Sequence, residues 1–196
     1  MPAGNSQKAA PKDDAVIAAT IDWLEKAVIG LNLCPFAKPA HAGGRIRFAV
    51  SSATTEQSLL VDLERELEKL AEANPQGLET TLLIHPGVFA NFLDYNDFLD
   101  VADATLVALD LDGIIQIASF HPDYQFANSA PGDISNYTNR SPYPMLHLLR
   151  EDSIERAVKS HPDTDAIYQH NIETLRRIGL EGWNALGLDA AKKSQG

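Results

Sequence analysis

Residues 45–85 read as a strand, an amphipathic helix and a second strand, and no other feature constrains the fold as much. Ile46, Phe48 and Val50 alternate with Arg45, Arg47 and Ala49, the period-two pattern of a half-buried strand over residues 45–51. Leu59, Leu63, Leu67 and Leu70 then form one apolar stripe against a strongly charged face, with Thr54 or Thr55 placed as a cap. Asn74-Pro75-Gln76-Gly77 ends this helix, and residues 78–85 follow as a buried strand closed by Pro86-Gly87. Such a run joins parallel strands through a right-handed crossover.

The remaining elements extend that pattern. Ile17, Ile21, Leu24 and Val28 recur at helical spacing, which predicts a first helix over residues 14–29 with Gly30 as its stop. A Pro- and Gly-rich crossing, residues 31–44, holds Asn32-Leu33-Cys34-Pro35-Phe36. Residues 92–110 suit a helix, because alanines and aspartates fill them, although Asp112-Gly113 between apolar runs is also hairpin chemistry. A third strand is expected over residues 114–120, then an irregular stretch to Pro144, a short helix over 145–150, another from Asp152 and a last one over 164–178. The expected class is α/β, a two- or three-layer sandwich. Its small, at least partly parallel sheet has strands near 45–51, 78–85 and 114–121, covered by the first, second, third and last helices. Three strands make a small sheet, which leaves room for a further strand in the irregular stretch.

A chain of 196 residues, 44% hydrophobic and 22% charged, can bury its own core without disulfides or a structural metal. Residues 13–188 are expected to form one globular domain, with a flexible arm over 1–12 and a flexible tail over 189–196. A net charge of −11 argues against a nucleic-acid backbone or an anionic membrane surface as partner. No run reaches the roughly 18 apolar residues of a membrane span, and no signal peptide is visible. The single cysteine, Cys34, rules out an internal disulfide and suits a reducing cytoplasm. The sequence sets no oligomeric state.

Chemistry concentrates in three places. Two apolar strands, Thr81-Leu82-Leu83-Ile84 and Ile117-Ala118-Ser119-Phe120, each end in His-Pro. If they are parallel, His85 and His121 project near one carboxyl edge, where open α/β sheets place their ligand crevice. Taken singly, each histidine equally suits a bond to a loop carbonyl. The irregular stretch carries Tyr124, Phe126, Tyr137, Tyr143 and the string Asn136-Tyr137-Thr138-Asn139-Arg140-Ser141. Arg140 suits a two-point contact with a carboxylate or phosphate, with Asn139, Ser141, Tyr124 and Tyr137 as further substrate contacts. It equally suits a packed loop in which it neutralises an acid.

Cys34, wedged before Pro35, has three readings: a nucleophile activated by a histidine, a metal ligand, or an inert small hydrophobe. Cys34, His85, His121 and His147, with Asp123 in reserve, carry the atoms that bind zinc or another divalent transition metal, although their spacings match no short motif. His41, His161 and His170 are expected at the surface. The sequence contains no Gly-rich phosphate loop or other nucleotide-binding motif, no GxSxG, no HExxH and no cysteine pair.

The strings Leu33-Cys34-Pro35-Phe36-Ala37, Ser119-Phe120-His121-Pro122-Asp123-Tyr124-Gln125-Phe126 and Tyr137-Thr138-Asn139-Arg140-Ser141-Pro142-Tyr143-Pro144 carry a further signal. Through them the chain, from Ala15 to about Leu180, resembles a bacterial family catalogued as a domain of unknown function, the one numbered fourteen-fifteen. The resemblance implies no activity, cofactor or catalytic residue, but its strings coincide with the three places above. Two readings follow. One is an enzyme acting on a small anionic or amide-containing metabolite, with His85 and His121 as acid/base groups or metal ligands, Arg140 as clamp and Cys34 as nucleophile or third ligand. The other is a non-catalytic domain that binds a small molecule or a protein.

Overall fold

The computed structural model describes residues 13–160 and 164–188. The expected arm, the expected tail and His161 lie outside the described residues. Among these, the sheet has four strands in the order β1-β2-β4-β3: β1 Ile46–Val50, β2 Thr80–Ile84, β3 Ile115–Phe120 and β4 Met145–Arg150. β1 and β2 are parallel, and β4 runs antiparallel to both β2 and β3. β1, β2 and β3 therefore point the same way, with β4 inserted against them.

The helices fall into two layers. The helix of the leucine stripe, α3 (Glu56–Glu72), opens with a reciprocal cap in which Thr55 Oγ1 accepts from Ser58 N and Ser58 Oγ accepts from Thr55 N, both at 3.2 Å. Leu59, Leu63, Leu67 and Leu70 pack with Tyr95, Phe98, Ala102 and Leu106 of α4 (Phe92–Ala108) on one sheet face. There they meet Leu83, Ile115, Leu146 and Leu148. Arg47 on β1 grips the buried Glu66 of α3 with two bonds, 2.6 and 3.1 Å, so an edge-strand charge is held without being left alone. The other face is covered by α1 (Asp13–Trp23), its π-helical continuation Leu24–Ile29, and α6 (Thr164–Ala185). Trp23, Leu24, Val28, Leu175 and Trp183 bury Leu82, Ile84 and Met145 there. The molecule is an α/β fold with a mixed sheet.

Three expectations need correction. Residues 145–150 are a strand, because Leu146 and Leu148 face α3 and α4 while Met145 and His147 face the opposite layer. A central strand with both faces covered has no polar alternation, so its apolar run looks helical. Within the crossing at 31–44, Ala37–Ala42 forms the short helix α2. Finally, the three expected strands do not make up a continuous sheet, since a fourth, β4, lies between β2 and β3. The hairpin alternative at Asp112-Gly113 gives way to α4, with Asp110 (φ 56°) and Gly113 (φ 73°) turning the chain into β3.

This topology has no switch point at the carboxyl edge, where a small pocket of about 120 Å³ lies beside Asp123, Tyr137, Arg140 and Ser141 among the described residues. Both crossovers, β1-α3-β2 and β2-α4-β3, place their helices on the same face and advance in the same direction. A crevice at the carboxyl edge arises where successive crossovers diverge to opposite faces. Here they never diverge.

Candidate functional site

His85 and His121 do reach one sheet edge, because β2 and β3 point the same way. Their rings flank Tyr95 of α4, at centroid distances of 5.7 and 5.2 Å. Both histidines are fully buried. His121 Nδ1 accepts from the Asp123 amide at 2.9 Å, so its proton sits on Nε2, which donates to the Phe89 carbonyl at 3.0 Å. His85 Nδ1 donates to the carbonyl of Val88 at 3.3 Å, and its Nε2 has no partner among the described residues. Two histidines thus hold successive carbonyls of one loop, in which Phe89 adopts φ 59°, a strained value for an aromatic residue. Tyr95 completes the joint by donating to the Met145 carbonyl at 2.8 Å and accepting from the Phe120 amide at 3.2 Å. Burial lowers both histidine pKa values, that of His85 to about 4, and raises that of Tyr95. At neutral pH all three are uncharged, the two histidines fastening the β2–α4 loop and Tyr95 fastening the ends of β3 and β4.

The irregular stretch folds over the same edge. Asn139 Nδ2 donates to the Ser119 carbonyl at 3.1 Å, and Ser141 Oγ donates to the Tyr143 carbonyl at 2.7 Å. The Tyr124 ring packs on Phe92 and Phe126, at 5.1 and 5.0 Å. Arg140 lies over the Tyr137 ring, 4.2 Å from its centroid, and donates to the carbonyls of Tyr124 (3.3 Å) and Pro131 (2.9 Å). It makes no ion pair among the described residues. Its guanidinium is half-buried and works chiefly as a stitch between loop segments. Arg140→Ala is expected to cost about 1–2 kcal/mol, lowering the melting temperature by roughly 3–6 °C. Lysine in its place should recover less than half, because a point charge cannot serve two carbonyls and a ring face together. Calorimetry of the two variants checks both values; an unchanged Ala variant would show that the stitch contributes nothing.

Cys34 and His147 lie on the opposite face, in the wall of a cavity of about 550 Å³. The four expected metal ligands are therefore divided by the sheet. Among the described residues, no group of three or more His, Cys, Asp or Glu side chains is placed to hold a metal. Burial pushes the Cys34 thiol up, outweighing the lowering by the Phe36 and Ala37 backbone. Thiolate nucleophilicity at neutral pH therefore has no support from its surroundings. His41, bonded to Glu25 at 2.9 Å, and His170 lie toward the surface.

The cavity follows from strand register. Across the second face one row reads Phe48, Leu82, His147, Ala118, and the next reads Ile46, Thr80, Leu149, Gln116. Ala118 and Thr80 are too short to fill the space that the larger row at the carboxyl edge, Val50, Ile84, Met145 and Phe120, does fill. The hollow is walled at depth by Trp23, Leu24, Val28, Leu82 and Phe120. Its mouth at the amino edge carries Arg45, Glu79, Gln116, Ser153 and Arg156, the last two from α5 (Glu151–Ser160). His147 makes no hydrogen bond among the described residues, and burial pushes its pKa down to about 4. It is a neutral imidazole facing an apolar hollow.

A family model described as "Protein of unknown function (DUF1415)" matches residues 15–185. The chain belongs to the DUF1415 family. It matches no curated protein and no solved structure. The three strings that carry the family resemblance occupy two places in this DUF1415 fold. Those at 119–126 and 137–144 interlock across the carboxyl edge, where the His121 amide donates to the Asn139 carbonyl at 3.2 Å. Trp23 Nε1 ties the second of them to α1 through the Arg140 carbonyl at 2.9 Å. The string at 33–37 borders the cavity instead, and Asn171 of α6 holds the Leu33 carbonyl at 2.8 Å. Among the described residues, no helix is long and apolar enough to cross a membrane.

Sequence reasoning missed Trp23, Ala118, Phe120 and Arg156 as cavity residues. Their only signal is positional: they become neighbours once the register of β3 on β4 and the seat of α1 are known, and neither is written in local pattern.

Proposed function

We propose that this protein binds a small, predominantly apolar molecule in the cavity between the sheet and α1, α2 and α5. The observation that carries this reading is the hollow of about 550 Å³, apolar at depth, with the neutral His147 as its chief inner polar group. Ligand sites commonly span about 300–1,000 Å³ and combine apolar walls with a few placed polar groups. An imidazole with no partner among the described residues can donate to, or accept from, a hydroxyl or carbonyl of a guest. The catalytic reading draws less support. Both His121 nitrogens are committed to backbone, the Arg140 guanidinium is bonded to two carbonyls, and Cys34 lies beyond the sheet.

A homologous series of n-alkanols tests the proposal, with the fluorescence of Trp23 in the cavity wall and titration calorimetry as readouts. Each added methylene should tighten binding about fourfold until the hollow is full, with a negative heat-capacity change. Ala118→Phe, directed into the space beside His147, should abolish binding while the circular dichroism spectrum stays that of the parent. Ala118→Leu gives a smaller filling should the larger one not fold. Absence of saturable binding across the series, or undiminished binding by the filled variants, would sink the proposal.

A further inference from the structure

Resting on that reading of the cavity, we infer that its ligand is an amphipathic carboxylic acid, bound tail-inward with its carboxylate at Arg156. Two guanidinium groups stand at the mouth, and they differ. Arg45 Nε is paired with Glu79 at 2.9 Å, and its Nη2 donates to the Pro39 carbonyl at 3.2 Å. Arg156 donates to Ser153 Oγ at 2.8 Å and forms no ion pair among the described residues. Glu155, beside it in sequence, is engaged with Lys159 at 3.3 Å. Asp152, one turn earlier on α5, is exposed, lies outside the cavity lining and forms no ion pair with Arg156, so the unpaired charge among the lining residues is positive, on a chain whose net charge is −11. An anion is repelled over most of such a surface and favoured here.

The interior fixes the orientation. Trp23, Leu24, Val28, Leu82 and Phe120 offer nothing to solvate a charge, so a carboxylate at depth would lack compensation. The headgroup stays at the rim, where Arg156 can meet it and the Gln116 amide can donate a second bond. The apolar tail fills the hollow toward Trp23. An ammonium headgroup finds no free acid there, because Glu79 already serves Arg45.

The experiment compares decanoate, n-decanol, n-decylammonium and n-decyl phosphate, each below its micellar concentration, on the full chain and on Arg156→Gln. Decanoate is expected to bind about fivefold tighter than decanol at low salt. That advantage should disappear both in Arg156→Gln and at high salt, while decanol affinity changes in neither case. Decylammonium should bind more weakly than decanol. Arg156 is exposed, so its replacement leaves the core intact. Saturable decanol binding equal to or tighter than that of decanoate would overturn the acid assignment and leave the cavity reading standing. So would an acid advantage that survives in Arg156→Gln, or a decyl phosphate affinity far above that of decanoate. If no decyl compound binds saturably, the cavity reading itself falls.

Discussion

Replacing Arg150 with methionine is expected to destabilise the protein by about 3–5 kcal/mol, although the residue does not line the cavity. Arg150 ends β4 and is only 8% exposed. Its Nη2 donates to the carbonyls of Leu70 and, at 2.6 Å, Ala73, while Nε donates to that of Leu78 at 3.3 Å. Leu70 and Ala73 stand at the end of α3, where the last carbonyls lack intrahelical partners and the helix dipole is negative. One guanidinium thus closes the helix and fastens it to the sheet. Methionine fills a similar volume but strands three carbonyls. Urea denaturation should show a lower midpoint at unchanged slope, and thermal melting a drop of roughly 10 °C. Arg150→Lys should fall between, because an ammonium cannot span all three acceptors. A loss below about 1 kcal/mol would mean that water replaces the guanidinium at no cost.

Arg150 also shows which part of the fold was legible. The leucine stripe of α3 and the alternation of β1 were readable because helix and strand periods are local properties of a sequence. The run from Met145 to Arg150 was not, since a strand covered on both faces shows no alternation. Its neighbours supplied a cue: Pro142 and Pro144 favour an extended backbone in the residues before them. The insertion of β4 between β2 and β3 depends on tertiary pairing that no local pattern encodes.

The candidate site was legible to a similar depth. Repetition of strand-His-Pro correctly indicated that His85 and His121 share an edge, because residues in the same context at the ends of similarly directed strands arrive together. What those histidines do there depends on where the carbonyls of Val88 and Phe89 point, and that follows from the positive φ of Phe89, a conformation no composition rule assigns to phenylalanine. The cavity left almost no local trace. Its residues come from all four strands and from α1, its π-helical continuation, α2 and α5, and its volume exists because a short side chain, Ala118, falls opposite His147.

Acidification is expected to unfold the protein in the window from about pH 6.5 down to about pH 4. Burial pushes the pKa values of His85 and His147 down from the ordinary 6.5 to about 4. Below pH 6.5 the unfolded chain takes up protons that the folded chain refuses, so stability falls as pH falls and flattens once the folded histidines titrate too. Above pH 7 neither group contributes. Each shift corresponds to about 3 kcal/mol at the bottom of the window. The two together approach the whole stability of a typical domain. His121, also lowered by burial, acts in the same direction. Asp133, held below its usual value by the Ser135 amide, titrates beneath the window and does not shape it. Urea midpoints across this range should give a slope approaching two protons or more. His147→Phe separates the contributions, because His147 makes no hydrogen bond to lose among the described residues and an apolar ring suits the hollow. The variant should remove about one proton from the slope and be more stable than the parent at pH 4.5. Equal slopes for variant and parent would show that His147 protonates freely in a water-filled cavity.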